Sequence, residues 1–353
     1  MDFHNTKKFR KLAKLEKNRI LRIFVFTIIL FGLMLFIINF LLGEYMRTEN
    51  YARLYPRNYI VYSIENLNLQ NDKKPVVAFI GDSIFKNDGI SFIAENYQDF
   101  ATDISVYDLS APGTMISYKY LVMKSILNNT DIIILNINYN LFSEDVIKNA
   151  VLVDEKLADL TGLDEEDKKF LTVNKETGEF ENKVPILNNK QNIQGMFFGG
   201  HPRRWIEKIK NDITCKKDCN KAKETENFDQ LTEDKKKEVL NSWYFQEVVL
   251  NSSNVNFIYL GKISELARKN NKTVIAVITP INPEIKNNAS FWGKFKNDTI
   301  LIKSELNDSV IFIDYSEANI QSSFYTDVVH FTPEGSKVFA EILYNDTKKY
   351  LGK

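Results

Sequence analysis

Twenty consecutive residues, Ile23 to Leu42, carry no charge at all (IFVFTIILFGLMLFIINFLL). A helix of that length rises ~1.5 Å per residue and spans ~30 Å, the hydrocarbon thickness of a bilayer. A core helix is rarely apolar on every face over such a length. A cleaved signal segment has a shorter apolar stretch, ~7–15 residues, and ends in small residues; Gly43-Glu44-Tyr45-Met46 makes a poor cleavage site. The run therefore predicts one uncleaved transmembrane anchor. Ahead of it stand Lys7, Lys8, Arg10, Lys11, Lys14, Lys17, Arg19 and Arg22 against Asp2 and Glu16, while only Arg47 and Arg53 follow closely. Bases stay on the cytoplasmic side, so residues 1–22 are expected to form a cytoplasmic tail. The polar, Tyr- and Asn-rich segment 43–73 would be a stalk or packing arm. Residues 74–353 would then form an extracytoplasmic domain.

The charge balance narrows the partners. Across 353 residues Lys+Arg and Asp+Glu both number 46. With eight bases and two acids at the N-terminus, the remainder is net negative. That excludes a polycation built to coat nucleic acid. Two cysteines cannot make a disulfide-rich scaffold or a four-thiolate zinc site. Cys215 and Cys219 form the only intramolecular pair, either a local staple or two free thiols. No H-E-x-x-H, phosphate-binding P-loop or G-x-G-x-x-G occurs, so no metal or organic cofactor is expected.

Past residue 73 the pattern becomes strand and helix in alternation. The segments Pro75 to Ile80, Ile104 to Leu109, Asp131 to Ile137, Thr273 to Ile278 and Val310 to Asp314 read as five strands. Several are apolar throughout, the mark of parallel strands covered on both faces. Ser117 to Leu127 and Val255 to Arg268 read as helices, the latter with Ile258, Leu260, Ile263 and Leu266 as apolar positions. Thr332 caps a last helix with Pro333 in its first turn and Val338, Phe339, Ile342 and Leu343 facing inward. The fold class is therefore α/β with a parallel sheet. A Lys-, Glu- and Asn-rich interruption of roughly a hundred residues, about 150–250, is expected to be a largely helical insertion over one end of the sheet, shaping substrate access or merely structural.

In open α/β sheets, sites form at the carboxyl ends of strands. Gly81-Asp82-Ser83 follows the first strand, so Ser83 stands where a nucleophile belongs; such a turn is also ordinary loop punctuation. A serine needs a base, and the base needs a partner to fix its tautomer. Asp327-Val328-Val329-His330 offers both just ahead of the last helix. Of the three histidines, His4 lies in the tail and His201 has no neighbouring carboxylate in sequence, which leaves His330. Acyl transfer also needs donors for a developing oxyanion. Candidates are the Ser83 and Gly113 backbone N–H groups and the Asn138 amide; Gly113 can equally be a turn glycine and Asn138 turn chemistry.

Ser83, Gly113, Asn138 and Asp327-x-x-His330 occur in order, each at a strand end or just before the last helix. Over roughly residues 74–350 this order resembles the SGNH (GDSL-like) hydrolase superfamily. The third block differs from the usual Gly-x-Asn-Asp, with Asn136 in place of the glycine and Tyr139 in place of the aspartate. The resemblance implies a three-layer α/β/α, flavodoxin-like fold with a five-stranded parallel sheet. It implies Ser83 as nucleophile, His330 as base, Asp327 as its orienting acid, and Ser83, Gly113 and Asn138 as oxyanion donors, with no cofactor or metal.

The anchor and Ile275 to Pro283 (IAVITPINP) are similar to the D-alanine transfer proteins of teichoic acid synthesis, and the architecture to polysaccharide O-acetyltransferases. Such proteins work beside a multi-span membrane O-acyltransferase. The expected activity is transfer or removal of O-acyl groups on a cell-surface glycopolymer, at the outer face of the cell membrane. The alternative is a catalytically silent envelope assembly or binding protein of the same fold.

Overall fold

The computed structural model describes residues 74–87, 91–149 and 226–351, with residues 26, 27, 30, 31, 33, 34, 60, 63, 64 and 67 before them. The chain divides into two compact units, Met1–Tyr55 and Pro56–Lys353. In the first unit the described residues, all within the apolar run, are helical and exposed. Among the described residues no helix is long and apolar enough to cross a membrane. Most of the expected anchor, Cys215, Cys219, His201 and the greater part of the insertion lie outside the described residues.

The second unit is built on five parallel strands: β1 (Val76–Ile80), β2 (Ser105–Asp108), β3 (Ile132–Asn136), β4 (Thr273–Ile278) and β5 (Val310–Asp314), in the order β2-β1-β3-β4-β5. Burial follows that order. Every residue of β1 and β3 is buried, whereas the edge strand β2 is only partly so. Apolar side chains alternating to both faces of a central strand require cover on both faces. The five strands match the sequence expectation to within one residue at each end.

The α-helices that accompany the sheet include α1 (Ile93–Phe100), α2 (Ile116–Ile126), α3 (Glu144–Asn149), α4 (Glu233–Tyr244), α5 (Val255–Asn270), α6 (Ala289–Glu305) and α7 (Pro333–Thr347). Helices α1 and α7 pack together, as do α2 and α5, with α6 against α5. Thr332 caps α7 as expected, its Oγ1 accepting the Gly335 N–H at 3.1 Å. The inward stripe of α5 is offset from its aliphatic residues. Asn256, Tyr259, Leu260, Ile263, Ser264 and Ala267 are buried, and Ile258 and Leu266 lie at the margin. The offset arises because Asn256 is needed inside, where its Oδ1 accepts the Ile116 N–H, which starts α2, at 3.0 Å.

Ile60, Ile64 and Leu67, in helical conformation, belong to the core of this unit. The C-terminal end of the expected insertion also packs back. Trp243 of α4 is buried, and the Phe228 N–H donates to the Tyr325 carbonyl at 2.6 Å.

Candidate active site

The strand order 2-1-3-4-5 is doubly wound and changes direction at β1, and ligands in such sheets bind beyond the carboxyl ends at that switch. The chain leaves β1 through Gly81 into a tight turn. The Phe85 and Lys86 N–H groups both donate to the Asp82 carbonyl at 3.1 Å, and Asp82 Oδ1 accepts the Ile84 N–H at 3.0 Å. Gly81, Asp82, Ile84 and Phe85 are buried; Ser83 between them is partly exposed. The turn thus presents one hydroxyl.

That hydroxyl meets His330. Ser83 Oγ lies 2.8 Å from His330 Nε2 across 247 residues of sequence, and His330 Nδ1 lies 2.6 Å from Asp327 Oδ2. A carboxylate only accepts, so Nδ1 carries the proton and Nε2 is left to accept from the serine. Asp327 Oδ1 takes the backbone N–H groups of Val329 and His330, both at 2.8 Å. The segment closes into a small loop through Thr326 N–H to the His330 carbonyl at 2.8 Å and Thr332 N–H to the Phe324 carbonyl at 2.9 Å. Phe331 anchors it by stacking on Phe339 of α7. The His330 and Asp327 side chains remain 25% and 35% exposed, open enough for a substrate to reach them.

The electrostatics agree with the geometry. Burial disfavours the imidazolium, but the hydrogen bond and charge of Asp327, helped by the charge of Asp82, outweigh it and lift His330 above the usual histidine range. Burial also opposes the Asp327 charge, but the ring and the two backbone donors prevail and hold the carboxyl below its ordinary value.

Gly113 follows β2, exposed, at φ +71°, a left-handed conformation that favours glycine. Its loop is tied to the nucleophile turn, since Ala111 N–H donates to the Gly81 carbonyl at 3.1 Å and Thr114 Oγ1 reaches that same carbonyl at 2.9 Å. Asn138 follows β3 and is partly buried. Its Oδ1 accepts the Asn140 N–H at 3.1 Å, which orients the amide and leaves Nδ2 as its donor side. Ser83, Gly113 and Asn138 therefore stand on three neighbouring loops beyond β1, β2 and β3.

Two residues of this region escaped sequence reasoning. Lys119, on α2, is fully buried, and its Nζ donates to Asp82 Oδ2 at 3.0 Å, the Asn136 carbonyl at 2.9 Å and Asn136 Oδ1 at 3.1 Å. Burial lowers its pKa and the Asp82 charge opposes that fall. Asn136, which stands where the SGNH pattern has glycine, is thus a ligand of this ammonium. Tyr139, the other departure, is a core anchor: its hydroxyl donates to Asp298 Oδ2 at 2.6 Å and its ring packs edge-on against Phe295. The second missed residue is Asn282, also fully buried. Its N–H donates to the Val328 carbonyl at 2.8 Å and its Nδ2 to the Asp327 carbonyl at 3.2 Å, pinning the base-bearing loop to the segment after β4. Among the described residues no group of His, Cys, Asp and Glu is arranged to hold a metal ion.

No family model and no curated protein matches the chain. Among solved structures it is similar to a GDSL-like lipase from Bacteroides thetaiotaomicron VPI-5482, at 15% identity and a TM-score of 0.39, over 83% of this chain and 98% of that one. It is also similar to a protein provisionally assigned as an acylhydrolase from Bacteroides fragilis NCTC 9343, at 16% identity and a TM-score of 0.34, over 82% of this chain and 95% of that one.

Proposed function

We propose that this chain is a serine acyl-transfer enzyme of the SGNH type, with a flavodoxin-like three-layer fold, that moves or removes O-acyl groups on a cell-surface glycopolymer. The observation that carries the reading is the continuous chain from Ser83 Oγ through His330 to Asp327. A serine hydroxyl in that chain is a poised nucleophile.

Ser83 Oγ attacks the acyl carbonyl as its proton passes to His330 Nε2, and Asp327 stabilises the imidazolium that forms. The negative charge on the carbonyl oxygen is met by the N–H groups of Ser83 and Gly113 and by Asn138 Nδ2. Collapse expels the donor's alkoxide, which takes the proton back from Nε2, and leaves the acyl group on Ser83. An incoming hydroxyl, from water or from a sugar, then attacks as His330 takes its proton, and the regenerated Ser83 leaves with it. Hydrolysis and transfer differ only in that last acceptor.

The location and substrate rest on the sequence. The uncharged run with its basic flank supports an anchor that holds the domain outside the membrane. There the accessible acyl esters are those of envelope polymers and their donors, and a multi-span membrane O-acyltransferase is the partner that would deliver the acyl group.

The test uses the detergent-solubilised full chain with a fluorophosphonate probe and with an O-acetylated glycopolymer as acyl source. Wild type is expected to label and to release or transfer acetate. Ser83→Ala is expected to do neither while melting at the wild-type temperature. No labelling of either would return the chain to the silent assembly reading, and equal labelling of Ser83→Ala would remove Ser83 as the nucleophile.

A further inference from the structure

The mechanism just given leaves unused a fully buried ammonium beside the site. A lysine on a helix normally lays its stem on the surface and keeps its charge in water. Helix α2 offers no such surface: Ile116 to Met123 are all buried. Lys119 has instead traded its whole hydration for three protein acceptors, one for each N–H it can donate. Two of the three belong to a single residue, Asn136, gripped at both its carbonyl and its side-chain oxygen. Since an ammonium cannot accept, that grip fixes which way the Asn136 amide faces. Among the described residues its buried Nδ2 has no partner, a cost the segment bears in order to keep the lysine satisfied.

Stability alone does not account for such an arrangement. Buried ion pairs are often no more stabilising than well-packed apolar groups of the same size, and their best-attested use is to specify geometry. What this one specifies is visible in the topology. Asp82 immediately precedes Ser83. Asn136 is the last residue of β3, two before Asn138. Strands β1 and β3 are hydrogen-bonded neighbours whose paired register ends at Ile80 opposite Leu135. The Lys119 ammonium bridges the next residues along, Asp82 in the turn and Asn136 at the end of β3.

We propose that Lys119 is a positioning residue that locks the nucleophile turn to the end of β3 and so fixes the Ser83 N–H relative to the Asn138 amide. This rests on the acyl-transfer reading above. An oxyanion site works because its donors are already in place when charge develops, and a misplacement of about 1 Å can cost about a hundredfold in rate. The lock acts on the transition state and not on substrate binding, so its loss should fall on kcat.

The experiment compares full-length wild type with Lys119→Met, which keeps the volume and removes the donor, and with Lys119→Met/Asp82→Asn, which removes both charges should the single variant fail to fold. Two readouts are taken: steady-state deacylation, and amide hydrogen exchange by segment. The expected result is faster exchange confined to residues 81–85 and 136–140, with β4 and β5 unchanged, and a kcat about ten- to a hundredfold lower at a KM within about twofold of wild type. Wild-type exchange in those two segments, or a kcat unchanged per folded molecule, would overturn the lock. If wild type itself shows no Ser83-dependent turnover, the acyl-transfer reading fails separately, and the exchange pattern still decides whether Lys119 joins the two loops.

Discussion

The two halves of the proposed catalytic constellation are held in different ways. The nucleophile turn, mostly buried, adds to its own bonds onto Asp82 a set from groups farther away in sequence: Lys119 on Asp82, and Thr114 and Ala111 on the Gly81 carbonyl. The base loop is partly exposed and is fixed largely by its own residues. Asp327 bonds to Val329 and His330, and Thr326 to His330, with Asn282 as the main outside support. A serine has little intrinsic reactivity, so its environment must supply the aim. A histidine next to its own carboxylate brings much of its chemistry with it. The first half is a tertiary construction and the second a local motif.

The sharpest way to break the comparison is to disturb the local motif alone. Asp327→Asn keeps the shape but removes the charge and permits the wrong tautomer. The rate is expected to fall by about 10³–10⁴. The pH profile adds a sign. His330 must be neutral to act, and its pKa is raised by Asp327. The acidic limb of the wild-type profile should therefore lie above the ordinary histidine value of about 6.5, and in Asp327→Asn it should move to lower pH. The limb is read from kcat/KM against pH; a limb that stays where it was would detach Asp327 from the titration of His330.

A matched pair of glycine substitutions probes the two supports next. A Cβ on Gly335, in the first turn of α7, would collide with the Phe324 carbonyl oxygen, a backbone atom of the base loop. A Cβ on Gly81 would lie 2.6–2.7 Å from Phe85 ring and Cβ atoms. Overpacking of this kind costs about 1–3 kcal/mol. Gly335→Ala is expected to cost the more because its nearest neighbour is a backbone oxygen, and Gly81→Ala somewhat less, although Phe85 Cβ stays in place however its ring turns; thermal or urea unfolding would rank them. The reverse order would mean that the base loop is the more compliant half.

The smallest effect tests how local the base loop is. Asn282→Ala removes the side-chain bond to the Asp327 carbonyl and the acceptor of the Ser322 hydroxyl and the Glu284 N–H, but keeps the backbone bond to Val328. A loss of about 1–2 kcal/mol of stability is expected, with kcat lowered only a few-fold. A loss of activity as deep as that of Asp327→Asn would show that the loop cannot hold its own shape.

The same contrast explains what could be read from the sequence. Asp327 and His330 are three residues apart, so their partnership is written in the local order, as is the placement of Ser83 after an apolar strand. The five strands were legible because continuous apolar runs have few other uses. Lys119 was not, since a lysine in a helical pattern looks like a solvated one until the helix is known to be buried all round. Asn136 looked like a departure from a motif because its ligand lay on another element. Helix α6 also went unread. Its buried stripe, Phe291, Phe295, Thr299 and Ile302, is narrow and interrupted by Gly293 and several lysines, while Ile300 and Leu301 face outward. The stripe of α5 was misplaced because Asn256 and Ser264, polar residues with tertiary partners, sit where apolar ones were expected.

Ser83 and His330 are 247 positions apart. A ribosome making this protein releases the nucleophile long before the base, and nothing of the reactive pair exists until nearly the last helix has emerged and the sheet has closed over that distance. Contacts of such sequence separation form late and slowly. On the proposed reading the nascent polypeptide is therefore chemically inert while it is being made, and reactivity arrives as one of the last consequences of folding.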